Sequence, residues 1–170
     1  MKSGFSPMIG CIPMENSQIY YEVQGDGQPV LLIPGSGGDS WWLHKIAGEL
    51  AKNFKVITYD LRGCARSISD GPLNIEMCRL SADATNVLDA AGVKSAYVIG
   101  VSSGAIIALD MASRYPERVD GIIAFEPPLI QLHTRRIQLQ KMIAKVYATA
   151  LNCGAGFAGL KFALGAGLPE

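Results

Sequence analysis

Four short apolar runs recur along the sequence and constrain its fold more than any other feature. They are PVLLIP at residues 29–34, KVITY at 55–59, AYVIGV at 96–101 and VDGIIAF at 119–125. Continuous apolar runs of this length are typical of strands buried on both faces of a parallel sheet. The stretches between them carry helical patterns, and strands that alternate with helices predict an α/β fold. We therefore expect a doubly wound, mostly parallel sheet with helices on both faces.

The segments around these runs carry ordinary hairpin, helix and cap signals. Residues 8–14 and 19–23 flank a turn-forming Glu-Asn-Ser sequence, which predicts an opening hairpin. Helices are predicted over residues 40–52 and 103–114, with a second helix between them whose apolar residues run from Met77 to Ala91. Asn74 is suited to cap the second of these helices, and Gly92 suits the position after its last turn.

Composition limits the classes of partner. Fifteen basic and fifteen acidic residues give a formal net charge of zero, without a basic stripe or a charge block. We therefore expect no nucleic-acid partner and no membrane partner, and a small-molecule substrate instead. The four cysteines are widely spaced and the chain has only two histidines, which does not favour a metal site. The first residues lack the continuous apolar segment of a signal peptide, so a cytoplasmic location is expected.

The sequence GVSSG at residues 100–104 carries the main chemical signal, because it lies between an apolar run and a helical stretch. A nucleophile at such a strand-to-helix turn is held in a strained backbone conformation, and small residues two positions before and after it avoid a clash. Gly100 and Gly104 occupy those positions. The turn would lift the Ser102 hydroxyl above the carboxyl edge of the sheet and direct helix N–H groups at it. The alternative is an ordinary Gly/Ser strand-to-helix turn.

A second glycine-rich loop, GSGGD at residues 35–39, follows the first apolar run. Acyl transfer requires two backbone N–H groups aimed at the position where the oxyanion forms. Ser103 and a residue of this loop are suited to supply them. A dinucleotide-binding loop of the G-x-G-x-x-G type would require glycine at position 40, where the chain has Ser40.

Three segments in this order and spacing resemble the α/β-hydrolase family: LLIPGSGGDSWW, YDLRGCARS and VIGVSSGAIIAL. PERVDGIIAFEPP also resembles the family's strand after the elbow helix, so the resemblance covers about residues 19–128. It implies that Ser102 is similar to the family's nucleophile. It also implies that the backbone of Ser36 and Ser103 is similar to the family's oxyanion hole.

The resemblance further implies a domain organisation and a pocket. Residues 1–128 would form the N-terminal part of the hydrolase core, and residues 129–170 the start of a helical cap. The strands that carry the family's acid and histidine would be missing. The glycine-rich segment at residues 150–168 is interpreted as a helix pair that packs on another surface. Trp41 and Trp42 fall where the family often lines its pocket, with core packing as the alternative.

The chain departs from the family pattern in two loops. Pro34 precedes Gly35 where many members have histidine, and Ala65 replaces the second glycine of the D-x-R-G-x-G-x-S pattern. The second loop is structural in the family, so this change does not bear directly on activity. A nucleophilic serine argues against the family's dehalogenases and epoxide hydrolases, which use aspartate.

The sequence signals for the catalytic acid and base are weaker than the signal for the nucleophile. Glu126 follows the strand after the elbow helix, where some family members place the acid, and a salt-bridged or capping glutamate is the alternative. His133 would complete a serine–acid–histidine order only by folding back over Ser102, and His44 is interpreted as a surface or packing residue. Cys64 has no adjacent base in the sequence.

Two functions remain open. The first is a serine hydrolase that acts on an ester, thioester or related carbonyl through an acyl-enzyme on Ser102, without a cofactor. Its acid and histidine would come from sequence outside the 170 residues or from a second polypeptide. A complementary C-terminal fragment or a homo-oligomer is therefore expected. The second is a non-catalytic binding or interaction module with a hydrolase-like fold.

Overall fold

The computed structural model describes residues 7–35, 37–70, 76–153, 161, 162 and 165. The chain divides into two compact units, Met1–Pro128 and Leu129–Glu170. The strands of the first unit are β1 (Met8–Met14), β2 (Ser17–Gln24), β3 (Gln28–Ile33), β4 (Phe54–Tyr59), β5 (Ile68–Ser69), β6 (Ala96–Val101) and β7 (Val119–Phe125). Its helices are α1 (His44–Leu50), α2 (Met77–Ala90) and α3 (Ser103–Arg114), and the second unit contains α4 (Arg136–Cys153).

The strands of the described residues form one sheet in the order β1-β2-β4-β3-β6-β7, with β5 paired to β2. The pairs β1–β2, β2–β4 and β2–β5 are antiparallel, and β3–β4, β3–β6 and β6–β7 are parallel. The opening hairpin and the doubly wound, mostly parallel sheet are therefore confirmed. Because β3 lies between β4 and β6, the loops that follow these three strands meet at one edge of the sheet.

The predicted helices are present, with changes at their ends. The helix predicted over residues 40–52 begins with a 3-10 turn at Ser40–Leu43 before α1. Asn74, the expected cap of α2, lies outside the described residues. The N-cap of α2 is Glu76, whose side chain makes no capping hydrogen bond. Gly92 follows α2 at φ +66, as expected of a residue that ends a helix in the left-handed region.

Each face of the sheet carries its own apolar cluster. On one face, α2 and α3 bury side chains such as Leu88 and Met111 against the strands. On the other face, Ala47 of α1 packs against Val30 and Val56 of the two central strands. Helices on both faces of the sheet are thus confirmed, because alternate residues of β3 and β4 belong to different clusters.

The expectation that all four apolar runs are buried on both faces is wrong for β6 and β7. Tyr97 is 47% exposed, and Ile123 and Phe125 are 59% and 58% exposed. An apolar groove of about 590 Å³ lies here, and its lining includes Leu50, Tyr97 and Ile123. The apolar pattern of these runs is correct for a strand, but α1 lies over β3 and β4 and leaves this part of the sheet open.

A buried ion pair fastens the loop after β4 to α2. Arg62 donates to both carboxylate oxygens of Asp83, at 3.0 and 2.6 Å. It also donates to the Ser17 hydroxyl and to the carbonyl oxygen of Glu15, at the start of β2. Burial raises the pKa of Asp83, and the bonds from Arg62 oppose that effect. Loss of either partner would leave an unpaired buried charge, so this part of the D-x-R-G pattern is structural.

The second unit is described mainly by α4, a helix within the residues 129–170 that were expected to begin a helical cap. The helix pair expected over residues 150–168 lies largely outside the described residues. None of the described helices is both long and apolar enough to span a membrane. Within the same residues, no three His, Cys, Asp or Glu side chains are grouped as metal ligands.

Candidate active site

Ser102 occupies a sharp turn between β6 and α3, with φ +53 and ψ −120. Two neighbouring glycines make this turn possible. A Cβ atom on Gly100 would lie 2.3 Å from the Gly104 carbonyl oxygen, and one on Gly104 would lie 2.4 Å from the Ile33 carbonyl oxygen. Neither position can hold a larger residue without a shift of the backbone. A non-glycine residue at positive φ between two such glycines is a strained arrangement that the surrounding structure maintains.

Backbone hydrogen bonds fix this turn on both sides. The Ser102 amide donates to the carbonyl oxygen of Phe125 at 2.9 Å, which ties the turn to the end of β7. The Ser102 carbonyl oxygen accepts from the Ala105 amide at 2.9 Å, in the first turn of α3. Ser103 is the first residue of α3. The half-buried Ser102 therefore stands at the positive end of a helix, where negative charge is stabilised.

The glycine-rich loop that follows β3 lies beside this turn. A Cβ atom on Gly35 would lie 3.2 Å from the Cβ atom of Ser102. The Gly35 carbonyl oxygen accepts from the Gly38 amide at 3.0 Å, which closes a tight turn. Ser36, the predicted oxyanion residue of this loop, lies outside the described residues. We call residues 34–40 the β3 loop.

Glu126 lies next to this turn in the register of the sheet. Val101 of β6 pairs with Phe125 of β7, so Ser102 and Glu126 follow their strands at the same edge. Glu126 is exposed and adopts φ +47. Among the described residues, no hydrogen bond identifies Glu126 as a catalytic acid or as a cap, and both interpretations stay predictions.

Trp41 and Trp42 are exposed by 63% and 84%, so the alternative that they pack in the core is wrong. The Trp41 ring stacks on the imidazole of His44, with centroids 4.4 Å apart. His44 Nδ1 also lies 2.6 Å from the Trp41 carbonyl oxygen. His44 is thus an exposed residue engaged with its own helical turn. A pocket role for the two tryptophans stays a prediction.

The other two weak candidates have local surroundings that argue against catalysis. His133 is exposed, and its Nδ1 accepts from the Arg135 amide at 3.0 Å. Burial raises the pKa of the Cys64 thiol, and the nearby carboxylate of Asp60 adds to this effect. A raised pKa disfavours the thiolate, which argues against Cys64 as an activated nucleophile.

The residues that sequence reasoning missed lie in the loop after β4. The D-x-R-G-x-G-x-S pattern indicates only a structural loop, yet Asp60 and Arg66 within it both bond to Ser40 of the β3 loop. An aspartate directly after a buried strand, at the edge where parallel strands end, is the signal that could have identified them.

A mostly parallel sheet with helices on both faces and a serine at positive φ between β6 and α3 define the class of protein as an α/β hydrolase-type fold. The chain belongs to the α/β-hydrolase fold family, whose model matches residues 28–152.

Curated relatives carry hydrolase names. The chain is 42% identical over 126 residues to the uncharacterized hydrolase YraK of Bacillus subtilis (strain 168), with 72% of this chain and 46% of that protein covered. It is 37% identical over 113 residues to a zearalenone hydrolase of Cladophialophora bantiana, with 64% of this chain and 43% of that protein covered. The chain therefore spans less than half the length of these two relatives.

A solved structure agrees with the fold. A crystal structure of a meta-cleavage product hydrolase variant superposes with a TM-score of 0.63 at 28% identity, and the match covers 68% of this chain and 44% of that one.

Proposed function

We propose that this chain carries the nucleophile and oxyanion side of a serine hydrolase, with Ser102 as the nucleophile. The observation that carries the proposal is the backbone of Ser102, at φ +53 between two glycines that admit no side chain. A strained turn of this kind at the carboxyl edge of a parallel sheet exposes a nucleophile to substrate from one side. The substrate is proposed to be an ester, a thioester or a related carbonyl compound.

The proposed reaction is acyl transfer. A general base takes the proton of the Ser102 hydroxyl as its oxygen attacks the carbonyl carbon, and the carbonyl oxygen becomes an oxyanion. The leaving group then departs with that proton, and an acyl-enzyme remains on Ser102. Water then hydrolyses the acyl-enzyme. The backbone N–H of Ser103, at the start of α3, and that of Ser36 in the β3 loop are the proposed oxyanion donors. Such donors typically contribute about 10²–10³ in kcat.

The base and the acid of the reaction are proposed to come from outside the 170 residues. The two histidines of the chain are exposed and bonded locally, His44 to its own turn and His133 to the Arg135 amide. The relatives that carry hydrolase names are more than twice as long as the part matched here. We call the chain together with the polypeptide that supplies these groups the complete enzyme.

The local bonding of both histidines also favours a second candidate for the 170 residues alone. Without a base near Ser102, the fold would serve as a non-catalytic binding or interaction module. The coding sequence downstream of Glu170 would distinguish the two candidates. An acidic residue and a histidine on two further strands would favour the hydrolase.

Acyl-enzyme trapping tests the hydrolase directly. The complete enzyme is mixed with p-nitrophenyl acetate, quenched with acid and digested. The expected result is an acetyl group on the peptide that contains Ser102, together with a burst of p-nitrophenol. Steady turnover without any acyl adduct, or an adduct on another residue only, would contradict the proposal.

A further inference from the structure

A buried carboxylate connects the β3 loop to the loop after β4. Asp60 directly follows β4, and its side chain is fully buried. Its Oδ1 accepts from the Ser40 amide at 2.9 Å and from the Ser40 hydroxyl at 2.7 Å. Its Oδ2 accepts from the Arg66 amide at 3.0 Å and from Arg66 Nε at 2.7 Å. One carboxylate therefore holds two loops that are far apart in sequence.

Arg66 completes this arrangement from the solvent side. Its Nη2 donates to Asp60 Oδ1 and to the Ser40 hydroxyl, both at 2.9 Å. Its Nη1 donates to Glu22 at 2.7 Å, and its guanidinium lies 3.9 Å from the centroid of the Tyr20 ring. A planar guanidinium that is bound on two sides in this way has a fixed orientation, and it remains charged.

Both groups are charged at neutral pH. Burial alone would raise the pKa of Asp60, but the hydrogen bonds from Arg66 and Ser40 outweigh it and hold the pKa below its ordinary value. The hydrogen bond to the Asp60 carboxylate in turn raises the pKa of Arg66. A buried carboxylate with this many donors is satisfied, so it holds its partners firmly.

The described residues of the β3 loop, 34, 35 and 37–40, contact both this ion pair and Ser102. At one end, Gly35 approaches the Cβ atom of Ser102 closely. In the middle, the Gly38 carbonyl oxygen accepts from the Leu61 amide at 2.8 Å, and a Cβ atom on Gly38 would lie 2.6 Å from Cys64 Sγ. At the other end, Ser40 is bonded to Asp60. A shift of the ion pair would therefore be transmitted to the loop beside Ser102.

We infer that Asp60 and Arg66 are positioning residues for the reaction at Ser102, because they fix the β3 loop at its place beside the nucleophile. The inference rests on the proposed function, which assigns an oxyanion donor to this loop. A donor aimed at a developing charge stabilises the transition state more than the bound substrate. Loss of the ion pair should therefore lower kcat and leave KM nearly unchanged.

Amide hydrogen exchange on the 170-residue chain tests whether the ion pair holds the loop. Arg66→Gln is the main variant, because the Arg66 side chain is 37% exposed whereas that of Asp60 is fully buried. Asp60→Asn is a second variant that keeps the shape of the buried group. Arg79→Gln is the control, since Arg79 forms an ion pair with Glu15 at a matched side-chain exposure of 34%.

The expected result is at least about tenfold faster exchange of the Ser40 and Leu61 amides in Arg66→Gln than in Arg79→Gln, because weaker bonds open more often. Exchange within about twofold of wild type at both amides in a folded Arg66→Gln variant would overturn the inference. If Asp60→Asn does not fold, the amide exchange of Arg66→Gln still tests the inference.

Steady-state kinetics of the complete enzyme separate positioning from stability. Arg66→Gln is expected to lower kcat by about tenfold or more with KM within about threefold of wild type, while Arg79→Gln changes neither. An unchanged kcat with faster loop exchange would overturn the inference, because the ion pair would then be only structural. If Ser102→Ala keeps its turnover, the proposed function fails. If Ser102→Ala is inactive and Arg66→Gln is unaffected, only this inference fails.

Discussion

The amide of Ser102 donates a hydrogen bond to the carbonyl oxygen of Phe125, 2.9 Å away, across the carboxyl edge of the sheet. This bond extends the pairing of β6 and β7 by one residue beyond the strands themselves. The candidate nucleophile is therefore held by a neighbouring strand as well as by its own turn. The same pairing of β6 and β7 places Glu126, the residue after Phe125, at the carboxyl edge of the sheet.

The glycines of the elbow are expected to be intolerant of any side chain. Gly100→Ala and Gly104→Ala each place a Cβ atom within 2.4 Å of a backbone carbonyl oxygen. We expect each to lower the free energy of unfolding by about 3 kcal/mol or more, since backbone must move to accept the methyl group. Chemical denaturation of the purified variants measures this loss.

Gly48→Ala is the matched control for these substitutions. Gly48 is exposed within α1, and a Cβ atom there would meet nothing within 4 Å. The same change is expected to raise stability by about 0.5–1 kcal/mol through helix propensity. Equal effects at Gly48 and Gly100 would contradict the close approach described at the elbow.

Glu126→Gln is expected to leave turnover of the complete enzyme within a few-fold of wild type. Glu126 is exposed, and a structural role at the end of β7 needs its backbone conformation more than its charge. The measurement is kcat/KM for a p-nitrophenyl ester. A loss of about 10³ or more, the scale of removing a member of a catalytic triad, would make Glu126 the acid instead.

The Asp60 carboxylate gives stability a defined pH dependence. Its pKa in the folded chain is below its ordinary value, so its contribution is fully present above the pKa of an unfolded aspartate, about 4. The contribution is lost as the pH falls through the lower folded value. The difference in unfolding free energy between wild type and Asp60→Asn should thus be large at neutral pH and shrink in acid. A difference that stays constant down to about pH 2 would contradict this.

The open face of β6 and β7 is expected to make the 170-residue chain self-associate. Tyr97 and Ile123 border an apolar groove there, and exposed apolar surface of this kind recruits other chains. Ile123→Lys should therefore shift the chain towards monomer in sedimentation velocity. Ile68→Lys is the control, because Ile68 is exposed to a similar degree, 57% against 59%, but lies on β5. A wild-type chain that sediments as a stable monomer would contradict the prediction.

The fold and the elbow could be predicted from the sequence because their signals are local. The apolar runs, the two glycines around Ser102 and the left-handed Gly92 each depend on residues a few positions apart. The exposure of Tyr97 could not be predicted in this way, since it depends on which helix covers which strand.

The Asp60 ion pair was missed for a related reason. Ser40 and Asp60 are 20 residues apart, and they meet only because β3 lies beside β4 in the sheet. No periodic pattern within either loop records this contact. A prediction of strand order combined with the polar residues at the ends of neighbouring strands would have brought the two together.

Fluorophosphonate labelling of the complete enzyme is the most direct test of Ser102 as the nucleophile. A fluorophosphonate phosphonylates an activated serine with loss of fluoride, and digestion with mass spectrometry locates the adduct. Wild type and Ser113→Ala, which alters an exposed serine later in α3, should be labelled equally on the peptide that contains Ser102. Ser102→Ala should remain folded and lose the label. Labelling of Ser102→Ala at the wild-type rate would contradict the assignment of Ser102.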